Sequence, residues 1–218
     1  MNDRKELFKD IKKIVVKIGT SSLITKDGKF NREFANDIAR EVSKLKSKGK
    51  DVILVSSGAV GIGCEILDFK ERPQSIPLKQ ATAAVGQSLL MHEWSNVFEK
   101  HGLKVAQILL TYDAFSDRKT YLNLRNSMSS LLELGVIPII NENDPVCVHE
   151  IGETFGDNDT LSAMVSSKVE ADLLILMTDI DGLYTKNPKK AKDAIKIPVI
   201  EEITPEIESL VGLLSTSR

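Results

Sequence analysis

The sequence predicts an α/β fold, a three-layer αβα sandwich with a mainly parallel central sheet. Short β-branched apolar runs alternate along the chain with longer segments of helical periodicity. The apolar runs are almost uninterrupted, which is typical of strands that are buried on both faces of a parallel sheet. A chain of 218 residues with 42% hydrophobic content is long enough to bury the core that such a sheet requires.

Five runs are predicted to be strands: 14–18, 52–55, 105–110, 136–140 and 173–177. A first helix is predicted over 31–48, because apolar residues recur there every three or four positions and Gly49 follows as a stop signal. Three more helices are predicted over 78–100, 117–134 and 159–169. Because helices that connect parallel strands pack on the faces of the sheet, this alternation predicts a helical layer on each side. The stretch 187–198 is predicted to be an irregular surface excursion.

The composition argues against several classes of partner. Lysine and arginine (29) nearly balance aspartate and glutamate (31), so the chain lacks the basic surplus of a nucleic-acid-binding protein. Cys64 and Cys147 lack the paired spacing of a zinc site and are interpreted as small buried thiols in a reducing compartment. Residues 1–13 are polar, and no stretch approaches the roughly 18 apolar residues of a membrane span, so we expect a cytoplasmic protein.

Polar and glycine-rich clusters follow four of the five predicted strands. They comprise residues 19–22, 56–58, 141–144 and 178–182. In an open parallel sheet, ligands bind beyond the carboxyl ends of the strands. Four clusters at one edge of the sheet therefore predict a binding site at that edge.

Lys17 interrupts the first predicted strand. A lysine in a buried strand is costly unless its ammonium meets an anion, and Gly19 would let the chain pass close to a ligand. We interpret Lys17 as a contact to a phosphate. The alternative is a lysine on an edge strand whose ammonium reaches water.

The segment 55–63 runs from a strand into a glycine-rich helix start. Amides at a helix N-terminus can bind a phosphate or a carboxylate, although a purely structural tight turn would have the same sequence pattern. Gly58, Gly61 and Gly63 do not have the order G-x-G-x-x-G, and the chain has no G-x-x-x-x-G-K-[ST]. Neither a dinucleotide-binding Rossmann site nor a P-loop is predicted.

Three later clusters carry the remaining polar side chains. Residues 141–144 offer amides and carboxylates that could hold an ammonium, or form an Asx-rich turn before Pro145. In 156–159, one residue is expected to cap a helix, which leaves two groups to bind an ammonium, orient Lys17 or hold a metal. Residues 178–188 follow the most apolar strand and could contact an adenine or a ribose, or be a polar connection.

Taken in order, these segments resemble the amino acid kinase superfamily. The resemblance is carried by V-x-K-I-G-T-S at 15–21, S-S-G-A-V at 56–60, Q-x-L-L-T in relaxed form at 107–111, N-E-N-D at 141–144, G-D-N-D-x-L-S-A at 156–163 and T-D-x-x-G-L-Y-T-x-x-P at 178–188. The segments at 141–144 and 156–163 together are specific, and they are similar to those of members that phosphorylate the γ-carboxylate of glutamate. The lysine and nucleotide segments are shared with kinases of aspartate, acetylglutamate, carbamate and uridylate.

The resemblance implies a role for each matching residue. Lys17 would contact the transferring phosphoryl group, and Asp159 would organise the cationic side of the site, both as catalytic residues. The residues implied to bind glutamate are Ser57, Gly58, Asp144, Asp157 and Asn158. The residues implied to bind the nucleotide are Lys17, Gly19, Thr178 and Asp179. The resemblance implies ATP with Mg²⁺ and assigns no metal ligands.

The resemblance also implies an organisation and a set of partners. It implies one amino acid kinase domain over 1–218, with an amino-acid-binding lobe over about 1–170 and the start of a nucleotide-binding lobe over 171–218. The family pattern continues with a glycine-rich segment that carries a second phosphate-binding lysine. The nucleotide lobe is therefore expected to be truncated, either because the sequence is cut short or because this variant lacks the segment. The implied reaction is phosphorylation of L-glutamate to L-glutamyl 5-phosphate, the first step of proline biosynthesis. The implied partners are L-glutamate and ATP, proline as a feedback inhibitor, a downstream glutamyl-phosphate reductase and a homo-oligomeric copy, without nucleic acid or membrane.

Two other functions stay open from the sequence, and a third is disfavoured. A kinase of another acid or phosphate would share the lysine and nucleotide segments. A non-catalytic amino-acid sensor on the same fold is favoured by the missing lysine segment, and it would bind an amino acid without forming an acyl phosphate. An NAD-dependent oxidoreductase is contradicted by the glycine order in 58–63.

Overall fold

The computed structural model describes residues 6, 8–25, 27–147 and 158–215, with the backbone alone for 211–215. The chain forms two units, residues 1–177 and 178–218. The first unit contains a five-stranded sheet and the second a two-stranded sheet.

The first unit alternates strands and helices, as the sequence predicts. Its strands are β1 (Lys13–Ile18), β2 (Asp51–Ser56), β3 (Val105–Leu110), β4 (Ile137–Glu142) and β5 (Leu173–Met177). Its described helices are α1 (Thr20–Leu23), α2 (Arg32–Ser47), α3 (Ala59–Ile66), α4 (Ile76–Glu99), α5 (Arg118–Glu133) and α6 (Asn158–Lys168). Short 3₁₀ turns follow β3 and β4, at Tyr112–Phe115 and Asp144–Val146.

The five strands form one parallel sheet in the order β3-β4-β2-β1-β5. β1 lies inside the sheet, with Lys17 opposite Val55 of β2 and Leu176 of β5. β4 ends at Glu142, two residues beyond its predicted end, because its last two residues still pair with β3. The predicted mainly parallel sheet is confirmed.

Apolar side chains cover both faces of this sheet. In β1, Ile14, Val16 and Ile18 belong to a core with α2 and α4, whereas Val15 belongs to a second core with α5 and α6. Successive residues of a strand point to opposite faces, so Lys17 lies on the face that α5 and α6 cover. The two cores confirm the predicted three-layer sandwich.

Side-chain caps and glycines set the helix boundaries. Asn31 Oδ1 accepts a hydrogen bond from the Phe34 amide at the start of α2, and Asp117 Oδ2 accepts one from the Thr120 amide at the start of α5. Gly49 follows α2 with a φ of +72°, a conformation that favours glycine. Because these signals are local, the boundaries of the four predicted helices agree with the structure to within two residues.

α3 and α4 approach each other at backbone distance through two glycines. A Cβ at Gly63 would lie 1.9 Å from the Thr82 carbonyl oxygen, and a Cβ at Gly86 would lie 1.9 Å from the Ala59 carbonyl oxygen. No side chain fits in either place, so this close packing requires glycine at both positions. Gly63 therefore has a packing role inside α3, which is a structural reason for this glycine that differs from the predicted tight turn.

The second unit is built from short elements. β6 (Leu183–Tyr184) pairs antiparallel with β7 (Lys196–Ile197), and α7 (Pro205–Ser215) follows. β7 falls within the stretch predicted to be irregular, so that prediction is wrong at its C-terminal end. A two-residue strand carries too little hydrophobic pattern to be recognised in the sequence. In the described part of the chain, no helix combines the length and apolarity that crossing a membrane demands.

Candidate active site

The carboxyl ends of β4, β2 and β1 lie side by side at one edge of the main sheet. The Ser57 amide, just after β2, donates to the Ile18 carbonyl oxygen at 3.1 Å. The Gly19 amide, just after β1, donates to the Met177 carbonyl oxygen at 3.3 Å. Three of the four polar clusters therefore meet at this edge, and the fourth belongs to the second unit.

Lys17 is buried, and its ammonium is paired with a carboxylate. Its side chain is 10% exposed, and Nζ lies 2.5 Å from Asp159 Oδ1. β1 has a neighbouring strand on each side, so the alternative of an edge-strand lysine reaching water is wrong. A Cβ at Gly19 would lie 3.5 Å from this Nζ. Glycine therefore keeps the chain close to the ammonium without covering it.

Asp159 enters the site from the first turn of α6. The start of this helix is held by Ser162, whose Oγ donates to the Asp159 carbonyl oxygen at 2.7 Å. The Asp159 side chain is 41% exposed, in contrast to that of Lys17. The carboxylate thus holds the lysine ammonium at the boundary between the core and the surface.

The Asn158 amide joins α6 to the ends of two strands. Its Nδ2 donates to Ser57 Oγ at 2.8 Å and to Asn141 Oδ1 at 3.0 Å. Asn141 lies near the end of β4, and its own Nδ2 donates to Gln87 Oε1 on α4 at 2.8 Å. Asn158 and Asn141 are 5% and 4% exposed, so these hydrogen bonds form away from bulk water.

Gly58 links Ser57 to α3 in a conformation that needs glycine. Its φ is +117°, and a Cβ there would also press on Ile24 Cδ1 at 3.2 Å. The turn brings the N-terminus of α3, whose first backbone amides have no partner within the helix, to the same edge of the sheet. Such amides can bind an anionic group.

Asp144 is a half-buried carboxyl group beside Glu142. Burial, and then repulsion from the Glu142 carboxylate, raises the pKa of Asp144 to about 6. Because an ammonium close by would lower this pKa again, the group is suited to bind a cation near neutral pH. The predicted Asx-rich turn is present as the 3₁₀ turn Asp144–Val146, but Asn141 and Glu142 before it belong to β4.

The two cysteines differ in their surroundings. Cys147 is buried, and its thiol donates a hydrogen bond to Glu142 Oε1 at 2.8 Å. Burial, and then this hydrogen bond, raises the pKa of Cys147 to about 12, so the thiol stays protonated and unreactive. Cys64 is partly exposed, so the prediction of a buried thiol is wrong for that residue.

Three predicted site residues fall outside the described residues or in the second unit. Asp157 lies outside the described residues. Thr178 and Asp179 belong to the second unit, where Thr178 Oγ1 donates to Asp179 Oδ1 at 3.3 Å. Lys189 pairs with Asp179 and lowers the pKa of that carboxyl group.

Sequence reasoning missed two contributors to the site. Asn141 stands in a recognised polar cluster, but the sequence did not single it out. Gln87 lies inside a helix and carries no motif, so no sequence signal pointed to it. Among the described residues, no group of three or more histidine, cysteine, aspartate or glutamate side chains is arranged to hold a metal ion.

Several known proteins are similar to this chain. It is 64% identical over 212 residues to the glutamate 5-kinase of Methanococcoides burtonii, and 50% identical over 206 residues to that of Caldanaerobacter subterraneus. These alignments cover 97% and 94% of this chain, but 56% and 55% of the two relatives. The chain therefore spans little more than half the length of the relatives that it matches.

The fold is similar to that of an isopentenyl phosphate kinase known from X-ray structures. The TM-score is 0.57 at 19% sequence identity, over 93% of this chain and 84% of that one. At this identity the similarity concerns the fold alone. The model of the amino acid kinase family matches residues 12–211. With nearly the whole sequence matched, and with relatives at up to 64% identity, the chain belongs to the amino acid kinase family.

Proposed function

We propose that this chain carries out the transfer of the γ-phosphoryl group of ATP to the γ-carboxylate of L-glutamate, which gives L-glutamyl 5-phosphate. The reaction is the first step of proline biosynthesis. The observation that carries the proposal is the buried Lys17 ammonium, held 2.5 Å from Asp159 on α6. The preceding residue on that helix, Asn158, is hydrogen-bonded to Ser57. The relatives named glutamate 5-kinase support the choice of substrate.

The proposed chemistry needs no general base. The γ-carboxylate of glutamate is ionised at neutral pH, so one of its oxygens attacks the γ-phosphorus directly while the bond to the β,γ-bridging oxygen breaks and ADP leaves. The site then contributes alignment and charge neutralisation, which are the main sources of catalysis in phosphoryl transfer. Lys17 would neutralise charge on the transferred group, and Asp159 would hold the ammonium in place.

The amino-acid substrate would lie against the polar ends of β2, β4 and α6. We assign its binding to Ser57, Gly58, Asp144, Asp157 and Asn158. The Asp144 carboxylate and the side-chain carbonyl oxygen of Asn158 can accept hydrogen bonds from the substrate ammonium. The amides at the Gly58 turn can donate to a substrate carboxylate.

The nucleotide would be bound by Lys17, Gly19, Thr178 and Asp179. Lys17 and Gly19 would contact the phosphates of ATP. Thr178 and Asp179 would contact the remainder of the nucleotide. We treat Mg²⁺ as part of the ATP substrate, because in kinases this ion keeps several waters and bridges the phosphate oxygens.

The wider organisation follows from the same assignment. We propose a single amino acid kinase domain, with amino-acid binding over about residues 1–170 and nucleotide binding beginning at 171. We further propose a cytoplasmic homo-oligomer that is inhibited by proline and that passes its product to a glutamyl-phosphate reductase. Such a reductase is expected because an acyl phosphate hydrolyses readily and must be consumed at once.

The test is to trap the acyl phosphate with hydroxylamine in the presence of ATP and Mg²⁺. Glutamate, aspartate and acetylglutamate are offered as parallel substrates, and each hydroxamate is measured by its colour with ferric ion. We expect hydroxamate from glutamate alone. Hydroxamate from another acid but not from glutamate would assign a different kinase activity. Tight glutamate binding without any hydroxamate would indicate the non-catalytic sensor.

A further inference from the structure

A chain of side-chain amides connects the candidate site to α4. Asn158 Nδ2 donates to Asn141 Oδ1 at 3.0 Å, and Asn141 Nδ2 donates to Gln87 Oε1 at 2.8 Å. Each amide donates to the next one, so the three share one direction that ends at Gln87. We call Asn158, Asn141 and Gln87 the amide relay.

The direction of the amide relay decides what Asn158 offers to a ligand. A side-chain amide has two N–H donors and one carbonyl oxygen. Both donors of Asn158 are used inside the protein, one by Asn141 and the other by Ser57 Oγ. The carbonyl oxygen is therefore the group of this side chain that these two hydrogen bonds leave over. It can accept a hydrogen bond from an ammonium, whereas a turned amide would present N–H groups that suit a carboxylate.

Gln87 takes part in the relay as an acceptor. Its Nε2 is buried and has no hydrogen-bond partner among the residues that the structure describes. Its Oε1 accepts from Asn141. If the Asn141 amide turned by 180°, its oxygen would face the oxygen of Gln87, and its N–H groups would face those of Asn158. A turn of Asn141 alone would lose two hydrogen bonds in a buried place, so Gln87 anchors Asn141 and, through it, Asn158.

The backbone of α4 holds Gln87 in place. The preceding residue, Gly86, lets α4 lie against the Ala59 carbonyl oxygen at the start of α3. Ala59 is two residues from Ser57, which accepts the other hydrogen bond of Asn158. The contact at Gly86 therefore helps to place both Gln87, at one end of the relay, and Ser57, whose hydroxyl is bonded to Asn158 at the other end.

We propose that Gln87 is a positioning residue for the amino-acid substrate, because the hydrogen bond to its side-chain oxygen holds Asn141, and through Asn141 the side-chain amide of Asn158, in the place where that amide would meet the substrate. The identity of that substrate rests on the proposed function. Gln87 acts through Asn141 and touches no reacting atom.

The test compares two substitutions of similar volume. Gln87→Met removes the acceptor, whereas Gln87→Glu keeps an oxygen that accepts from Asn141. Ser88→Ala is the control, because Ser88 is the next residue on α4 and, among the described residues, its hydroxyl donates to the Val85 carbonyl oxygen of the same helix. The KM values for glutamate and ATP and the kcat at saturating glutamate are measured for each protein, together with the thermal midpoint.

We expect Gln87→Met to raise the KM for glutamate by about tenfold, as the loss of one aligned hydrogen bond would. The kcat and the KM for ATP should stay within about twofold. Gln87→Glu and Ser88→Ala should bind glutamate like the parent protein. The proposal is overturned if Gln87→Glu is as weak as Gln87→Met, or if Gln87→Met leaves the KM for glutamate unchanged.

A second measurement separates this proposal from the proposed function. In ¹⁵N-labelled protein, the Asn158 side-chain N–H groups should exchange slowly with solvent, because both are hydrogen-bonded and buried. The exchange should become faster in Gln87→Met and stay slow in Gln87→Glu. If the parent protein forms no hydroxamate from glutamate, the proposed function fails, and this exchange pattern still decides whether the amide relay exists. Fast exchange in all three proteins would refute the relay.

Discussion

Two lysine–aspartate pairs, one in each unit, have very different surroundings. The Lys17 side chain is 10% exposed where it meets Asp159, whereas Lys186 and Asp193 in the second unit are 56% and 71% exposed. Water and salt screen the exposed pair, which is therefore worth little to stability. The buried lysine has lost most of its hydration and depends on its carboxylate. Only the first pair has the low-dielectric surroundings in which a single charge can strongly stabilise another.

The hydrogen bonds of the two units differ in their reach along the chain. Asn158 bonds to Ser57 across 101 positions, and Asn141 to Gln87 across 54. In the second unit, the longest side-chain hydrogen bond described, from Lys196 to Asp181, spans 15 positions. The site in the first unit is therefore a product of the fold, whereas the polar contacts described in the second unit join near neighbours in the sequence.

The largest expected effect is the loss of activity when the buried charge is removed. Lys17→Ala should lower the kcat for hydroxamate formation by about 10²–10³-fold, the range seen when one group that stabilises a transition state is deleted. The matched change Lys186→Ala removes an exposed lysine that also pairs with an aspartate, and it should change kcat less than twofold. Equal activity of Lys17→Ala and the parent protein would remove Lys17 from the mechanism.

The next effect concerns the packing that holds the first unit together. Gly86→Ala should lower the free energy of unfolding by about 2–3 kcal/mol, because the new Cβ collides with the Ala59 carbonyl oxygen. Gly61→Ala is the matched change, since its Cβ would meet Ile24 at an ordinary contact distance of 3.4 Å. It should shift stability by less than about 1 kcal/mol. Urea titration measures both, and equal stabilities would mean that α3 and α4 can separate at little cost.

The smallest expected effect is a pH dependence of glutamate binding. Asp144 has a pKa raised to about 6 from 3.8, so its contribution to stability is present below about pH 3.8 and is lost as the pH rises through 6. The affinity for glutamate should change with pH in the opposite direction to this stability, because only the ionised Asp144 carboxylate would attract the substrate ammonium. The affinity for glutamate should fall about tenfold between pH 7 and pH 5.

The control for this prediction is an exposed aspartate. Lys186 lowers the pKa of Asp193 in the second unit, so that group stays ionised over the same range. Asp193→Asn should leave the pH profile unchanged, whereas Asp144→Asn should bind glutamate weakly and equally at both pH values. Calorimetric titration in two buffers of different ionisation enthalpy would detect the proton that Asp144 releases near pH 6. A flat profile in the parent protein would show that Asp144 does not bind the ammonium.

Local signals in the sequence were enough to predict the strands, the four long helices and the helical layers of the first unit. Hydrophobic periodicity and helix caps such as Asn31 and Asp117 are local signals, so they can be recognised in the sequence without knowledge of the fold. The need of Lys17 for an anionic partner also followed from the sequence, because a charge inside a buried strand is costly without one. The partner that the structure supplies is Asp159.

Which polar side chains form hydrogen bonds with one another depends on the tertiary structure. Nothing in the helical pattern around Gln87 distinguishes it from an ordinary helix residue, and its place in the amide relay depends on two glycines that bring α3 and α4 together. The raised pKa of Asp144 likewise comes from burial and from Glu142, not from its position in a motif. Hydrogen bonds and desolvation depend on distances of a few ångströms between residues far apart in the chain, and only packing fixes those distances.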